Sequence, residues 1–519
     1  MSLASLKKIR VVISAAMFGL FGLLFVDWGN VAPPFLRALV VSLQLGPAVV
    51  KLFGALETWS IAILVVLLAT VLFGRLYCSS VCPLGTFQDI VIRWSRRSHR
   101  RRWYRYRRAP YWLHYTLLGI TIIISVSGSM IVVNALEPFS IFGRIAGGLA
   151  RPLLMTVNNI GAVLLSSVDV YLLSAIPAPP LEVGLLAVPA VFFTAIAVLA
   201  FFRGRLFCNS VCPVGALLGL VSRKAIFRIV IDHSTCKDCG LCEKVCKAGC
   251  IDSAAKTIDF DACVSCFNCL EACPTVGLTY EGFRERAAIA AGQTVDNGRR
   301  TFLQAISVPL ASFLVPGGHP DGVDSAATVR RTAAAAGPVT PPGSLGLSRF
   351  SNLCTSCHLC VSVCPTQVLQ PSFLEYGVEG LFQPRMDYAV SYCNYDCVLC
   401  GEVCPSGAIV HLPVEDKKLT QIGKARFIKD DCIVITKKKD CAACAEHCPT
   451  KAVRMVPYEN LRLPEVNNDI CVGCGACEHA CPVEPNRAIF VESNTIHLRA
   501  EKPPRETPET EPVEEGFPF

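Results

Sequence analysis

Of the 29 cysteines in this 519-residue chain, 24 fall into six regularly spaced groups. The first two groups are Cys236-x2-Cys239-x2-Cys242-x3-Cys246 and Cys263-x2-Cys266-x2-Cys269-x3-Cys273-Pro274. A tight loop of this spacing presents three thiolates to three iron corners of a [4Fe-4S] cubane, and the last cysteine of the other motif reaches the fourth corner. That rule assigns Cys236, Cys239, Cys242 and Cys273 to one cluster, and Cys263, Cys266, Cys269 and Cys246 to a second. Cys250 is left over, and Lys247 stands where a proline usually follows the fourth cysteine. A chain of this length that repeats C-x-x-C-x-x-C does not read as a disulfide framework, so metal or cluster ligation is the default.

The remaining four groups are Cys354-x2-Cys357-x2-Cys360-x3-Cys364, Cys393-x3-Cys397-x2-Cys400-x3-Cys404, Cys432-x8-Cys441-x2-Cys444-x3-Cys448 and Cys471-x2-Cys474-x2-Cys477-x3-Cys481, each followed by proline. Four quartets imply four more clusters, six in all. Fourth ligands could be exchanged between neighbouring motifs (first with second, third with fourth) or between nested ones, and spacing does not choose. Cys354-Thr-Ser-Cys357-His358 also fits the C-x-x-C-H haem-attachment pattern, but Cys360 and Cys364-Pro365 complete a cluster motif in the same frame.

Four further cysteines lie in an internal repeat, Gly74-Arg-Leu-Tyr-Cys78-Ser-Ser-Val-Cys82-Pro83-Leu-Gly85 and Gly204-Arg-Leu-Phe-Cys208-Asn-Ser-Val-Cys212-Pro213-Val-Gly215. Such identity marks a duplication. On a helix Cys78 and Cys82 share a face, so the two copies can gather four thiols at one depth, as a further metal or cluster site, as redox-active dithiols, or as a packing motif. No convincing Rossmann, P-loop or flavin-attachment pattern is present, and no catalytic acid, base or nucleophile is identified.

The elements that must position these groups divide the chain in two. Hydrophobic residues make up 52%, mean hydropathy is +0.45 and only 17% of residues are charged, against roughly 25% in soluble domains, which excludes a purely soluble or disordered chain. Four apolar stretches approach the ~20 residues that a bilayer requires: Val11 to Trp28, Leu56 to Phe73, Tyr111 to Val133 and Val183 to Phe202. Ile160 to Ile176, interrupted by Asp169, reads as an interfacial or re-entrant helix, with a fifth span as the alternative. Lys7, Lys8 and Arg10, the run Arg93 to Arg108, and Arg203, Arg205, Arg223 and Lys224 fall on one side of four crossings, which makes that side cytoplasmic. The same basic run is better explained by a membrane flank than by nucleic-acid binding.

Residues 1–317 hold 30 Lys+Arg against 16 Asp+Glu, whereas 318–519 hold 19 against 25. At that switch Arg299-Arg300-Thr-Phe302-Leu303 precedes a mildly apolar stretch to Val315, a pattern of twin-arginine export. The expected layout is a membrane domain at 1–225, a cytoplasmic two-cluster domain at 226–285, the twin-arginine segment and linker at 286–349, a four-cluster domain at 350–499, and a disordered acidic tail at 500–519. The fold class is multidomain: an all-α membrane domain of four spans plus α+β bacterial ferredoxin-like iron–sulfur domains.

On these motifs the first 280 residues resemble the NapH family of membrane polyferredoxins. The remainder, with its twin-arginine segment, Pro341-Pro342-Gly343 and four quartets, is similar to the NapG/MauM ferredoxin family, so the chain looks like a natural fusion. The resemblance implies quinol oxidation at the membrane and electron delivery from an inner-membrane protein to a periplasmic oxidoreductase or c-type cytochrome; the leading reading of the chain places that oxidation near Glu137, Arg144 and Arg151. Two other readings remain: an accessory factor that matures a partner metalloenzyme through Cys78, Cys82, Cys208 and Cys212, and a one-sided cytoplasmic polyferredoxin exchanging electrons with soluble ferredoxin. A transporter is disfavoured, since the spans carry no intramembrane charges.

Overall fold

The computed structural model describes residues 3–27, 32–54, 60–98, 104–107, 109–176, 183–275, 277–282 and 337–503. The twin-arginine segment and the tail from 504 lie outside them, as does most of the linker.

Among the described residues the apolar half has helices and no strands before Arg228. Its elements are α1 (Leu3–Val26), α2 (Pro34–Ser42), α3 (Leu45–Gly54), α4 (Ser60–Phe73), α5 (Leu76–Ser80), α6 (Pro83–Ser98), α7 (Tyr111–Val126), α8 (Ile131–Leu136), α9 (Pro138–Ile145), α10 (Arg151–Ser166), α11 (Val183–Arg203), α12 (Leu206–Ser210) and α13 (Pro213–Ser222). By length and composition three runs could cross a membrane: Ser5–Val26, Pro138–Ser166 and Leu186–Arg203. The pair α2 and α3, bent by 91°, is a fourth candidate.

This departs from the expected set of four. Helix α7 has 16 residues, about 24 Å, less than the ~30 Å hydrocarbon core, and the described part of α4 is Ser60–Phe73, residues 55–59 lying outside the described set. The run Pro138–Ser166, not among the four expected spans, is continuous because a π turn at Ala146–Ala150 joins α9 to α10. Arg144 and Arg151 interrupted its apolar pattern, yet both side chains are buried inside the protein. The helix expected at Ile160 to Ile176 ends at Ser166, and Asp169 takes a left-handed conformation.

The duplicated segments interlock. α6, which follows the first Cys-Pro pair, packs on α11 of the second copy, and α13 packs on α4 of the first. Both spans stop at a left-handed glycine, Gly74 at φ +77° and Gly204 at φ +66°, the conformation that a helix C-terminus needs and that glycine adopts without a Cβ penalty.

Two iron–sulfur blocks flank the helices. In the first, β1 (Arg228–Ile231) pairs antiparallel with β4 (Leu278–Glu281), and β2 (Ile251–Asp252) with β3 (Thr257–Ile258). In the second, β5 (Leu369–Pro371) pairs with β6 (Pro384–Met386), β7 (Thr420–Phe427) with β10 (Ile489–Arg499), and β8 (Val453–Tyr458) with β9 (Leu461–Val466). Helix α1 touches both blocks. Leu6 joins the core of the first block and Lys7 pairs with Glu271, whereas Phe21 and Phe25 share a core with Phe139, Phe142, Cys354 and Cys360. Those contact points, Leu6 and Phe21 to Phe25, lie about 22–28 Å apart along the helix.

Candidate iron–sulfur centres and the thiol group between them

The loops carrying the C-x2-C-x2-C runs share a backbone device. Two residues before the third cysteine, Gly240, Phe267, His358 and Gly475 are all left-handed, and each begins the short helix that carries that cysteine. This turn folds three thiols toward one centre. Val398 and Ala442, in the motifs with C-x3-C and C-x8-C leads, are not left-handed, so the extra residues there replace the turn.

Cys236, Cys239, Cys242 and Cys273 line a single cavity in the first block. The thiol of Cys246 lies beside Cys263, Cys266 and Cys269. In the second block Cys404 is the electrostatic neighbour of Cys354, Cys357 and Cys360, while Cys364 shares a cavity with Cys393, Cys397 and Cys400. Likewise Cys481 neighbours Cys432, Cys441 and Cys444, and Cys448 shares a cavity with Cys471, Cys474 and Cys477. Fourth thiols are thus exchanged between adjacent motifs, the choice that spacing left open.

These sites fit a cubane better than a single ion. Zinc–thiolate bonds of ~2.3 Å would draw tetrahedral sulfurs to roughly 3.8 Å of one another. Among the described residues no group of three His, Cys, Asp or Glu side chains is placed to hold one metal ion, and three of the quartets instead surround a cavity. His358 spends its Nε2 on the Phe382 carbonyl at 2.7 Å, the nitrogen that a haem iron would need.

Between the blocks sit the four thiols of the repeat, all buried. The repeat is reciprocal at atomic level: Arg75 donates to the Cys208 carbonyl at 2.9 Å, and Arg205 donates to the Cys78 carbonyl at 2.7 Å. A Cβ on Gly85 would overlap the Cys78 carbonyl, and one on Gly215 the Cys208 carbonyl, which explains why both copies end in glycine. Arg75 lies 4.0 Å from the Cys78 sulfur, Gln88 lies 3.5 Å from that of Cys208, and the Gly215 amide lies 3.3 Å from that of Cys212. Such donors favour thiolate, but burial outweighs them and pushes the Cys78, Cys82 and Cys212 thiols up. As for the quartets, no ready-made single-ion site is present among the described residues.

Sequence reasoning missed what fastens the first block here. Asp89 receives Arg10, Arg205 at 2.7 Å and Lys247 at 3.0 Å. Burial pushes its carboxyl up, but the three cations outweigh that and hold it at about 2. The arginine following glycine in both repeat copies was the available signal, read only as repeat identity.

On the far side, Glu137, Arg144 and Arg151 come together along the seam with the second block. Glu137 accepts from the Ser140 amide at 2.5 Å while its Oε1 has no partner among the described residues. The Arg144 guanidinium lies 4.4 Å from the Phe192 ring and 4.9 Å from the Phe382 ring, and Arg151 reaches the Val361 carbonyl at 3.5 Å. Near this seam a cavity of about 330 Å³ opens between α2–α3 and residues 401–411, with Val41, Leu52, Ile409, Cys404, Lys51 and His411 in its wall.

Comparison with known proteins agrees with this arrangement. A 4Fe-4S binding domain family matches twice, at residues 57–102 and 185–230. Two 4Fe-4S dicluster domain families match residues 353–409 and 437–484, the first spanning two adjacent motifs and the second its two apart from Cys432. The ferredoxin-type protein NapG of Escherichia coli K12 is 30% identical over 201 residues, 36% of this chain and 83% of NapG. The ferredoxin-type protein NapF of the same organism is 25% identical over 158 residues, 30% of this chain and 87% of NapF. An uncharacterised protein of Methanocaldococcus jannaschii, MJ0749, is 36% identical over 86 residues, 17% of this chain and 34% of that protein. No solved structure matches. The chain is an iron–sulfur electron-transfer protein and belongs to the family of ferredoxin-type proteins that includes NapG.

Proposed function

We propose that the chain is a multi-pass inner-membrane protein holding six [4Fe-4S] clusters, which takes electrons from quinol and relays them to a periplasmic oxidoreductase or c-type cytochrome. The supporting observation is one uninterrupted buried core. It runs from Cys266 of the first block, through Cys78, Cys82, Cys208 and Cys212, to Cys354, Cys357, Cys360 and Cys364 of the second. In this reading the first block is cytoplasmic, the basic flanks Lys7, Lys8 and Arg93 to Arg108 stay inside, and the second block is exported by the Arg299-Arg300 segment.

The clusters supply one-electron exchange when bound, and the protein's part is to position and tune them. Cations do the tuning: Arg75 and Lys247 stand at the inner end, and Arg144 and Arg151 at the outer end, beside Cys357 and Cys364. Nearby positive charge favours the reduced, more negative state. The cavity beside Cys404 has the size of a small-ligand site. Its apolar wall from α2 and α3 suits a quinol ring, and His411 and Glu402 at its rim can take the two protons that quinol releases.

The test is anaerobic addition of a menaquinol analogue to the full chain in nanodiscs. Bleaching of cluster absorbance within seconds supports the relay; an unreduced spectrum that dithionite still bleaches removes quinol as the donor.

A further inference from the structure

Five thiols, and not four, surround the second cluster position of the first block. Cys250, outside every spaced group, is buried with only 2% of its surface exposed. Its sulfur lies 3.5 Å from the Cys246 sulfur, and its amide donates to that sulfur at 3.4 Å. Cys263 is its further electrostatic neighbour, so it sits beside two of the four assigned ligands.

The segment carrying both thiols is held rigidly. The Lys247 carbonyl accepts from the Arg205 amide at 3.0 Å, Ala248 from Asn209 at 3.3 Å, and Gly249 from the Arg107 amide at 3.1 Å. Asp259 ties down the Cys250 carbonyl at 2.8 Å. A Cβ on Gly204 would overlap the Lys247 carbonyl. Lys247, standing where a proline is usual, lets the chain follow this path and puts a second cysteine four residues after the first.

We propose that the cluster held by Cys263, Cys266 and Cys269 can be closed by either Cys246 or Cys250, the spare thiol remaining protonated and hydrogen-bonded to the ligand. Exchange is redox-neutral: one iron–sulfur bond to Cys246 breaks, one to Cys250 forms, and the Cys250 proton passes to the Cys246 sulfur. The consequence is a cluster that survives loss of one ligand and whose potential responds to which thiol is bound, since hydrogen bonds to the sulfurs set cluster potentials. The inference rests on assigning a cubane to this position.

The test uses full-length protein, anaerobically purified in detergent, and low-temperature electron paramagnetic resonance. In the Cys246→Ser variant and the Cys250→Ala variant the cubane signal of this site is expected to persist, with its midpoint potential displaced in each. In the double variant Cys246→Ser with Cys250→Ala it is expected to give way to a [3Fe-4S] signal. The signals of the second block report in every sample that the chain has folded. A [3Fe-4S] signal in Cys246→Ser alone overturns the proposal, as does a Cys250→Ala variant whose potential is unchanged. A wild-type spectrum unaffected by Cys263→Ser would instead refute the cluster assignment beneath it.

Discussion

The two iron–sulfur blocks are fastened to the helices by different physics. The first is bound by charge: Asp89 with Arg10, Arg205 and Lys247, Arg223 with Asp261 at 2.5 Å, and Lys7 with Glu271. The second is bound by shape. Gly143 lies against the Cys357 carbonyl, Phe192 meets Phe382 edge-on at 6.0 Å, and Arg151 and Asn134 reach backbone carbonyls at 3.5 and 3.3 Å. Yet both blocks turn one cysteine group inward. Cys246, Cys263, Cys266 and Cys269 are buried while Cys239 is exposed, and Cys354, Cys357, Cys360 and Cys364 are buried while Cys393, Cys397, Cys400 and Cys404 are half-buried. A packed seam that no ion pair crosses among the described residues is what a block that arrives folded and docks late can form; a seam of paired buried charges must be assembled with every partner in place.

The largest expected effect separates the two ends functionally. Cys404→Ser removes a thiol from the wall of the cavity and should slow menaquinol-driven bleaching at least about tenfold, a loss of transition-state or transfer competence read as a rate ratio. Cys239→Ser, at the solvent face of the first block, should leave that rate within about twofold. Equal losses would show that electrons do not enter beside Cys404.

The charged seam should be the more fragile to a single change. Asp89→Asn strands three buried cations and should cost about 3–5 kcal/mol, visible as a lower midpoint in thermal unfolding followed by cluster absorbance. An unchanged midpoint would show that Asp89 does not lock the first block. On the packed seam Gly143→Ala pushes a methyl group into the Cys357 carbonyl and should cost about 1–3 kcal/mol, with loss of the second block's signals before those of the first.

The smallest effect is acidic. Burial lowers the His497 pKa to about 4, where the ring hydrogen-bonds Thr340 and packs the lead-in to the second block. The unfolded ring gains its proton near pH 6.5 and the folded ring only near 4. Stability is therefore full above pH 6.5 and falls as pH drops toward 4, by on the order of 1–3 kcal/mol. His497→Gln should flatten that slope in denaturant titrations at pH 7 and pH 5.

Legibility followed the range of the interaction. The cysteine groups were plain because ligand spacing is local, and the left-handed positions at Gly240 and Gly475 could be anticipated from glycine; Phe267 and His358 could not, since neither residue type announces that conformation. Pairing of Cys404 with Cys354 required the tertiary fold. The run Pro138–Ser166 did not stand out as a span because hydropathy counts Arg144 and Arg151 as exposed, whereas aromatic rings and carbonyls shelter them. Ion pairs such as Lys247 with Asp89 join residues 158 positions apart in sequence, beyond any pattern. Cys250 was visible as a leftover, but its closeness to Cys246 was not.

The central claim is that the blocks lie on opposite sides of one membrane. Protease treatment of spheroplasts and of inside-out vesicles, followed by antibodies to each block, tests it directly. The account predicts that residues 350–499 are cleaved only from the outside and residues 226–285 only from the inside. Cleavage of both blocks from the inside would contradict it and leave a one-sided polyferredoxin.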